Sequence, residues 1–331
     1  MSRAIGSELS PAALGLDPLA AASEVDLEHE LGIIREAGAD NRAGVFGPSS
    51  VMWRLDKEAG LFLGAGRALL LQLAHPWVAT AISRYSRVLA DPIDRFHGTF
   101  KFMFTMVFGT TEQALAMARR LHRRHEGISG RLAKSAGPFS AGSLYRANEV
   151  AALRWVHATL IDTTVVAYEL LYPRLSADER EHYWDEARLF AAFFGIPQAG
   201  LPRSWAEFAA YNENMWRSDV LTVTAEARAI AEAILSGVGT RLPVPSWYRA
   251  LTARLLPTRL RDEFGLPYGA AERRKTDRVL AAFKWVHPWT PDCLRYVGPY
   301  HEAAARLAGR QSGVKTRLSN RFWIGQKTMA G

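Results

Sequence analysis

At 331 residues, with 48% apolar and 22% charged side chains, the chain has the composition of a folded globular protein with room for one large core or two domains. A single cysteine, Cys293, excludes an internal disulfide framework, a four-cysteine zinc site and a cysteine-ligated iron–sulfur cluster, and fits a reducing, cytoplasmic setting. The formal charge of +8 rests mainly on arginines scattered along the chain with no long basic run, so nucleic acid is not expected as a partner.

Residues 1–25 are rich in Ala, Ser, Pro and Leu and read as a loose N-terminal arm; no basic start followed by an apolar core marks a signal peptide. Helix signals dominate from there to about residue 309. The spacing predicts helices near 26–37, 60–74, 77–86, 92–108, 111–127, 148–172, 177–194, 204–216, 220–236, 246–255, 271–285 and 300–309. Thr110 with Gln113, Ser176 with Glu179 and Ser204 with Glu207 read as capping boxes. Strand signals are poor, with no sustained alternation of β-branched residues between turn residues. The predicted class is therefore all-α, a single large multi-helix domain.

The most apolar window, Leu61–Ile82, is interrupted by Arg67, Gln72, His75 and Pro76. A bilayer-spanning helix wants roughly 20 mostly apolar residues, so this window reads as a buried core helix and no transmembrane span is expected.

Asp91, Arg95 and Thr99 then form an i,i+4 column in DPIDRFHGTFKFMF. Asp91–Arg95 reads from spacing as a surface ion pair. The functional alternative has Arg95 anchoring a ligand carboxylate, Thr99 hydrogen-bonding in the same pocket, and Gly98 leaving room for a flat ligand.

The next predicted helix carries Leu115, Ala118, His122 and His125 at 3-4-3 spacing, hence on one face. Imidazoles on a buried stripe need partners: nearby acids such as Glu112 and Glu126, or a metal or cofactor. The loop 129–146 that follows is longer than the roughly 12–15 residues usual for a plain connection, which makes it a candidate lid or pocket wall. Beyond it His157 sits among Leu153, Leu160 and Ile161, where a neutral imidazole needs hydrogen-bond partners.

Other chemistries lack their residues. There is no GxGxxG or Walker-type loop and no G-x-S-x-G elbow. Glu179–His182 is only half of a helical di-iron motif and lies in a charged stretch. The segment 310–331 reads as a basic C-terminal tail, packing back through Phe322, Trp323 and Ile324.

Six stretches carry a further pattern: GPSSVMWRL (47–55), GRALLLQLAHPWVA (66–79), DPIDRFHGT (91–99), VFG (107–109), HEGISG (125–130) and WVHATLIDT (155–163). In this order and spacing the chain resembles the latex-clearing-protein (rubber oxygenase) and MpaB-type oxygenase family, with looser similarity through 206–216 to 304–309. The resemblance implies an all-helical fold around one b-type haem, with oxygen chemistry at iron. By position it implies that His125 is the proximal ligand, that Arg95 and Thr99 flank the haem, and that His157 is a second histidine of its environment. His122 stands where the family often has another basic residue, and is kept as the alternative iron ligand. Gly98 departs further: rubber oxygenases place a lysine there, on the distal side of iron, so cleavage of polyisoprene is not implied.

The expectation is therefore a cytoplasmic haem b-dependent oxygenase, with dioxygen or peroxide as oxidant and an apolar or amphiphilic small molecule as substrate. Arg95, Thr99 and His157 would be the catalytic residues. His125, His122, Arg95, Thr99, His157 and Gly98 would contact the haem, with arginines of 119–124 helping to pair its propionates. The substrate pocket is expected to be lined from 61–82 and 100–108. A non-catalytic haem protein with bis-histidine ligation, His125 with His157 or His97, is the alternative.

Overall fold

The computed structural model describes residues 21–37, 41–86, 91–237 and 244–330. Sixteen α-helices account for most of them: α1 Glu24–Ala37, α2 Val51–Asp56, α3 Ala65–Leu73, α4 Pro76–Tyr85, α5 Pro92–Phe108, α6 Thr111–Glu126, α7 Val150–Tyr168, α8 Ala177–Ala191, α9 Trp205–Arg217, α10 Ala225–Leu235, α11 Ser246–Leu255, α12 Thr258–Glu263, α13 Ala270–Val286, α14 Asp292–Arg295, α15 Gly298–Leu307 and α16 Val314–Ile324. The one sheet among the described residues is a two-stranded ribbon, β1 Ser129–Arg131 against β2 Leu144–Arg146. The all-α expectation holds. Most of the arm read at 1–25 lies outside the described residues.

Local chemistry sets the helix ends. Thr110 and Ser176 each make the full reciprocal capping box with Gln113 and Glu179. At Ser204 only half of it forms. The hydroxyl accepts from the Glu207 amide at 3.2 Å, but the Glu207 carboxylate accepts from the Arg203 amide instead, at 2.8 Å. The helix expected over 60–74 is divided into a tighter 3-10 turn, Ala59–Gly64, and α3. Gly64 and Gly66 permit the close packing at that joint. A β-carbon on Gly64 would lie 2.6 Å from the Thr163 methyl of α7, and one on Gly66 would lie 2.3 Å from the Thr252 hydroxyl of α11. Pro76 opens α4 at its first turn, where a missing N–H costs nothing.

The core runs between α2, α3, α5, α7 and α8, around Trp53, Leu70, Leu71, Phe108, Trp155, Trp184, Phe190 and Phe193. Buried indoles find acceptors on neighbouring helices. Trp53 Nε1 donates to the Val107 carbonyl at 2.8 Å and Trp155 Nε1 to the Leu71 carbonyl at 2.9 Å. Arg67, which interrupts the apolar window in sequence, is buried with all its work done: Nη2 pairs with Asp162 at 2.6 Å, Nη1 donates to Thr163 at 2.6 Å, and Nε donates to the Leu255 carbonyl at 2.9 Å. Among the described residues α7 alone is long and apolar enough to cross a membrane, and 56% of that window is buried inside the protein.

The segment read as a tail is helical. In α16 Trp323 and Ile324 are buried against α5 and α15, whereas Phe322 is exposed.

Candidate active site

The helices α5 and α6, joined through Gly109 and Thr110, pack side by side, and one face of the pair looks into a cavity closed by α4, α7 and the β-ribbon. The space amounts to about 990 Å³ counted out to its open mouth. Its walls are largely apolar: Trp77, Val78, Ala81 and Ile82 of α4, Phe102 of α5, Leu121 of α6, Leu153 and Val156 of α7, and Phe194. The His125 imidazole and the Arg95, Arg124 and Arg146 guanidinium groups interrupt them, and among the described residues no carboxylate lines the cavity.

The two histidines of α6 part company here. His125 lies on the cavity wall, half-buried. Burial, reinforced by the Arg124 cation, His122 and the Arg95 cation and opposed by the Asn148 amide, pushes its pKa down to about 4. At neutral pH the imidazole is uncharged and keeps a free lone pair. His122, one turn earlier, is buried behind the wall; Glu126 lies 3.6 Å from its Nε2, and neither ring nitrogen has a hydrogen-bond partner.

Arg95 is the second feature of the wall. The expected pair with Asp91 does not form, because the Asp91 carboxylate is spent as the N-cap of α5, accepting from the Asp94 amide at 2.9 Å. The guanidinium instead donates to the Thr99 hydroxyl, which donates onward to the Arg95 carbonyl at 2.9 Å. Burial and the neighbouring Arg124 cation lower the Arg95 pKa, the signature of a cation held without a counter-charge. Thr99 thus reaches the cavity through Arg95. Gly98 is not among the residues that line the cavity, and a β-carbon there would meet nothing within 4 Å, so no close approach at this position requires glycine.

The remaining sequence candidates lie elsewhere. His157 is not on the cavity wall. It is sealed between Trp184, Phe190 and Phe194, and its Nε2–H donates to the Ala187 carbonyl at 2.8 Å. Burial pushes its pKa to about 4, and Nδ1 has no partner. His97 faces the opposite side of α5, donating from Nε2 to the Phe322 carbonyl of α16 at 3.0 Å. His75, another buried histidine with a pKa near 4, packs on Trp77 and Phe139.

Three polar wall residues lie in segments expected to form the wall but are not singled out by the sequence. Gln72 comes from within the apolar window, and its amide donates to Thr159 at 3.1 Å. Tyr145 and Arg146 come from the long loop, where the register Ser129↔Arg146 and Gly130↔Tyr145 lays Tyr145 over Gly130. A β-carbon on Gly130 would sit 2.6 Å from the Tyr145 hydroxyl, so glycine is required for that approach. The expectation of a pocket wall from this loop is met by its β2 end. The expected lining segments 61–82 and 100–108 contribute Gln72, Trp77, Val78, Ala81, Ile82 and Phe102.

The donor set can be tested against a haem. Among the described residues no group of three or more His, Cys, Asp or Glu side chains could enclose a metal ion. One neutral imidazole beside a largely apolar cavity, with three arginines and no acid among the described lining residues, suits a metal whose remaining ligands come from a carboxylate-bearing macrocycle rather than from the protein. The Trp77 Nε1, a buried donor without a partner, belongs to the same wall. The residues present fit the group.

Searches of curated proteins and of solved structures return no significant match. A family model described as ER-bound oxygenase mpaB/B'/Rubber oxygenase, catalytic domain, matches residues 52–285, a span that includes α2 through α13 and contains every wall residue of the cavity. The chain belongs to the mpaB/rubber oxygenase family and carries its oxygenase catalytic domain.

Proposed function

We propose that the protein is a haem b-dependent oxygenase acting on an apolar or amphiphilic small molecule, with His125 as the protein ligand to iron. The observation that carries this reading is one wall holding a neutral His125 and an Arg95 with no acid partner. His125 is preferred to His122 because only His125 lines the cavity. The chemistry supplied by the bound group would be activation of dioxygen or peroxide, while the protein orients and shields.

The roles of the chain's own residues follow from their positions. His125 stays deprotonated, keeping its lone pair for a metal. Arg95, with Arg124 and Arg146 nearer the mouth, would hold two carboxylates of an amphiphilic ligand by charge-assisted bonds. Thr99 fixes the Arg95 guanidinium in place. Trp77, Ile82, Phe102 and Leu121 exclude water and present an apolar surface to a substrate. His157, bonded to Ala187, acts at most by positioning α7 against α8, the helix behind the wall residues Leu153 and Val156.

The absorption spectrum of the purified protein tests the reading. A Soret band at one equivalent, lost in His125→Ala and retained at least in part in His122→Ala, is the expected outcome. The reverse pattern would exchange the ligands, and no Soret band after haem supplementation would end the proposal. A low-spin ferric spectrum unmoved by cyanide would favour the bis-histidine carrier instead.

A further inference from the structure

The C-terminal helix α16 lies outside the span matched by the family and is amphipathic in an unusual sense. One face is spent on the protein: Asn320, Trp323 and Ile324 are buried against α5 and α15. The opposite face exposes an apolar stripe. Val314, Leu318 and Phe322, spaced by four, are 72%, 59% and 65% exposed. At 100° per residue Arg317 and Arg321 fall along one edge of that stripe and Lys315 along the other. The short helix α14, which packs on α16, adds Leu294 at 70% exposure.

Charge is one-sided as well. From Arg310 to the end, the chain holds Arg310, Lys315, Arg317, Arg321 and Lys327 and no carboxylate. None of the five forms an ion pair among the described residues. The charge pattern selects the occupant. A nucleic acid would need the cations but gains nothing from three exposed aliphatic and aromatic side chains. A second copy of a chain with net charge +8 would set cations against cations. Long basic side chains flanking an apolar stripe suit an interface that is apolar below and anionic above, where the stems lie along the acyl boundary and the heads reach the phosphates.

We propose that α16, with Leu294 of α14 beside it, is a docking surface for the headgroup layer of an anionic lipid bilayer. The helix lies flat on the surface, with Val314, Leu318 and Phe322 inserted below the phosphates and Lys315, Arg317 and Arg321 level with them. The cavity is one helix away. The face of α5 that carries Phe96 and His97 packs on α16, while Arg95 and Phe102 of the same helix line the cavity. A bilayer held at α16 would bring apolar molecules close to the cavity.

Sedimentation of the full chain with phosphatidylglycerol/phosphatidylcholine vesicles tests the surface directly, without reference to any activity or cofactor. Binding to these vesicles, weak binding to phosphatidylcholine alone, and release by high salt are expected. Leu318→Glu/Phe322→Glu should lower the partition coefficient by more than about tenfold, as should Arg317→Gln/Arg321→Gln, whereas Val25→Glu, an exposed control on α1, should leave it unchanged. All of these positions are solvent-exposed, and unchanged helicity by circular dichroism verifies folding; the wild-type salt dependence stands apart from any variant. Absence of vesicle binding by the wild-type chain overturns the proposal. So does binding that survives both double substitutions. Loss of a wild-type dimer in light scattering, with vesicles ignored, would assign the face to a second copy and overturn it as well.

Discussion

Two arginines, Arg67 and Arg95, sit inside the helical body and are treated in opposite ways. Arg67 is enclosed by Asp162, Thr163 and the Leu255 carbonyl, so α3, α7 and α11 are tied together through one guanidinium. Arg95 has a hydroxyl for company and no acid, in a cavity wall with two further arginines. A buried ion pair with complete hydrogen bonding locks a packing arrangement, although it adds little net stability over apolar residues. A cation left without its counter-charge is a cost that folding alone does not justify. The difference separates a structural arginine from one that, on the proposed function, would hold an anionic ligand; the partners rather than the sequence context tell them apart.

The comparison breaks most visibly at Asp162. Asp162→Ala leaves Arg67 uncompensated and should destabilise the fold by about 3–5 kcal/mol in urea denaturation. A loss no larger than that of a surface substitution would mean that Arg67 is solvated and the contrast false. Arg95→Ala should do the reverse. The protein without ligand should keep its stability, while, on the proposed function, haem retention should weaken by about 1.5–3 kcal/mol, read as faster haem loss to an acceptor globin. Unchanged retention would demote Arg95 to a partner of Thr99.

Proton uptake sharpens the same contrast for the histidines. His75 and His157, both buried with pKa values near 4 against an ordinary value of 6.5, stay neutral where the unfolded chain would take up protons. Their contribution to stability is therefore fully present above about pH 6.5 and is lost as pH falls toward 4. Asp56 works with the opposite sign: burial and then the Glu186 carboxylate raise it to about 7, so its contribution is lost as pH rises from about 4 to 7. His157→Gln should flatten the acid-side loss of stability and Asp56→Asn the neutral-side loss, both measured as chemical denaturation midpoints against pH. The smallest effect belongs to a helix end. Thr110→Ala, which removes the cap of α6, should cost about 1 kcal/mol and leave the haem spectrum as it was.

Much of this architecture was legible along the chain. Helix period, proline placement and capping residues located α1, α4 to α11, α13 and α15 to within a few residues, because those signals are local. The short helices α2, α12 and α14 escaped, since six residues or fewer carry too little periodicity to be read. The ribbon escaped for a related reason: three-residue strands held by a loop offer no alternation. The tail escaped because α16 is short and basic, and its helix is secured by α5 and α15. At the site, His125 and Arg95 were legible from the motif order, and the stripe on α6 from its spacing. Gln72, Tyr145 and Arg146 were placed only by segment, because each joins the wall through packing with elements distant in sequence.

The sequence by itself determined the helical class, the family and the pair of candidate histidines, all of which depend on local spacing or on motif order. The motif order already favoured His125 over His122. Only the tertiary structure adds that His125 lines the cavity while His122 is covered, because two residues on one helical stripe differ in whether a neighbouring element buries them. It likewise decided the fate of Arg95. Spacing offered Asp91 as a partner, but its carboxylate caps α5, and the arginine faces a cavity that no acid of the described residues lines.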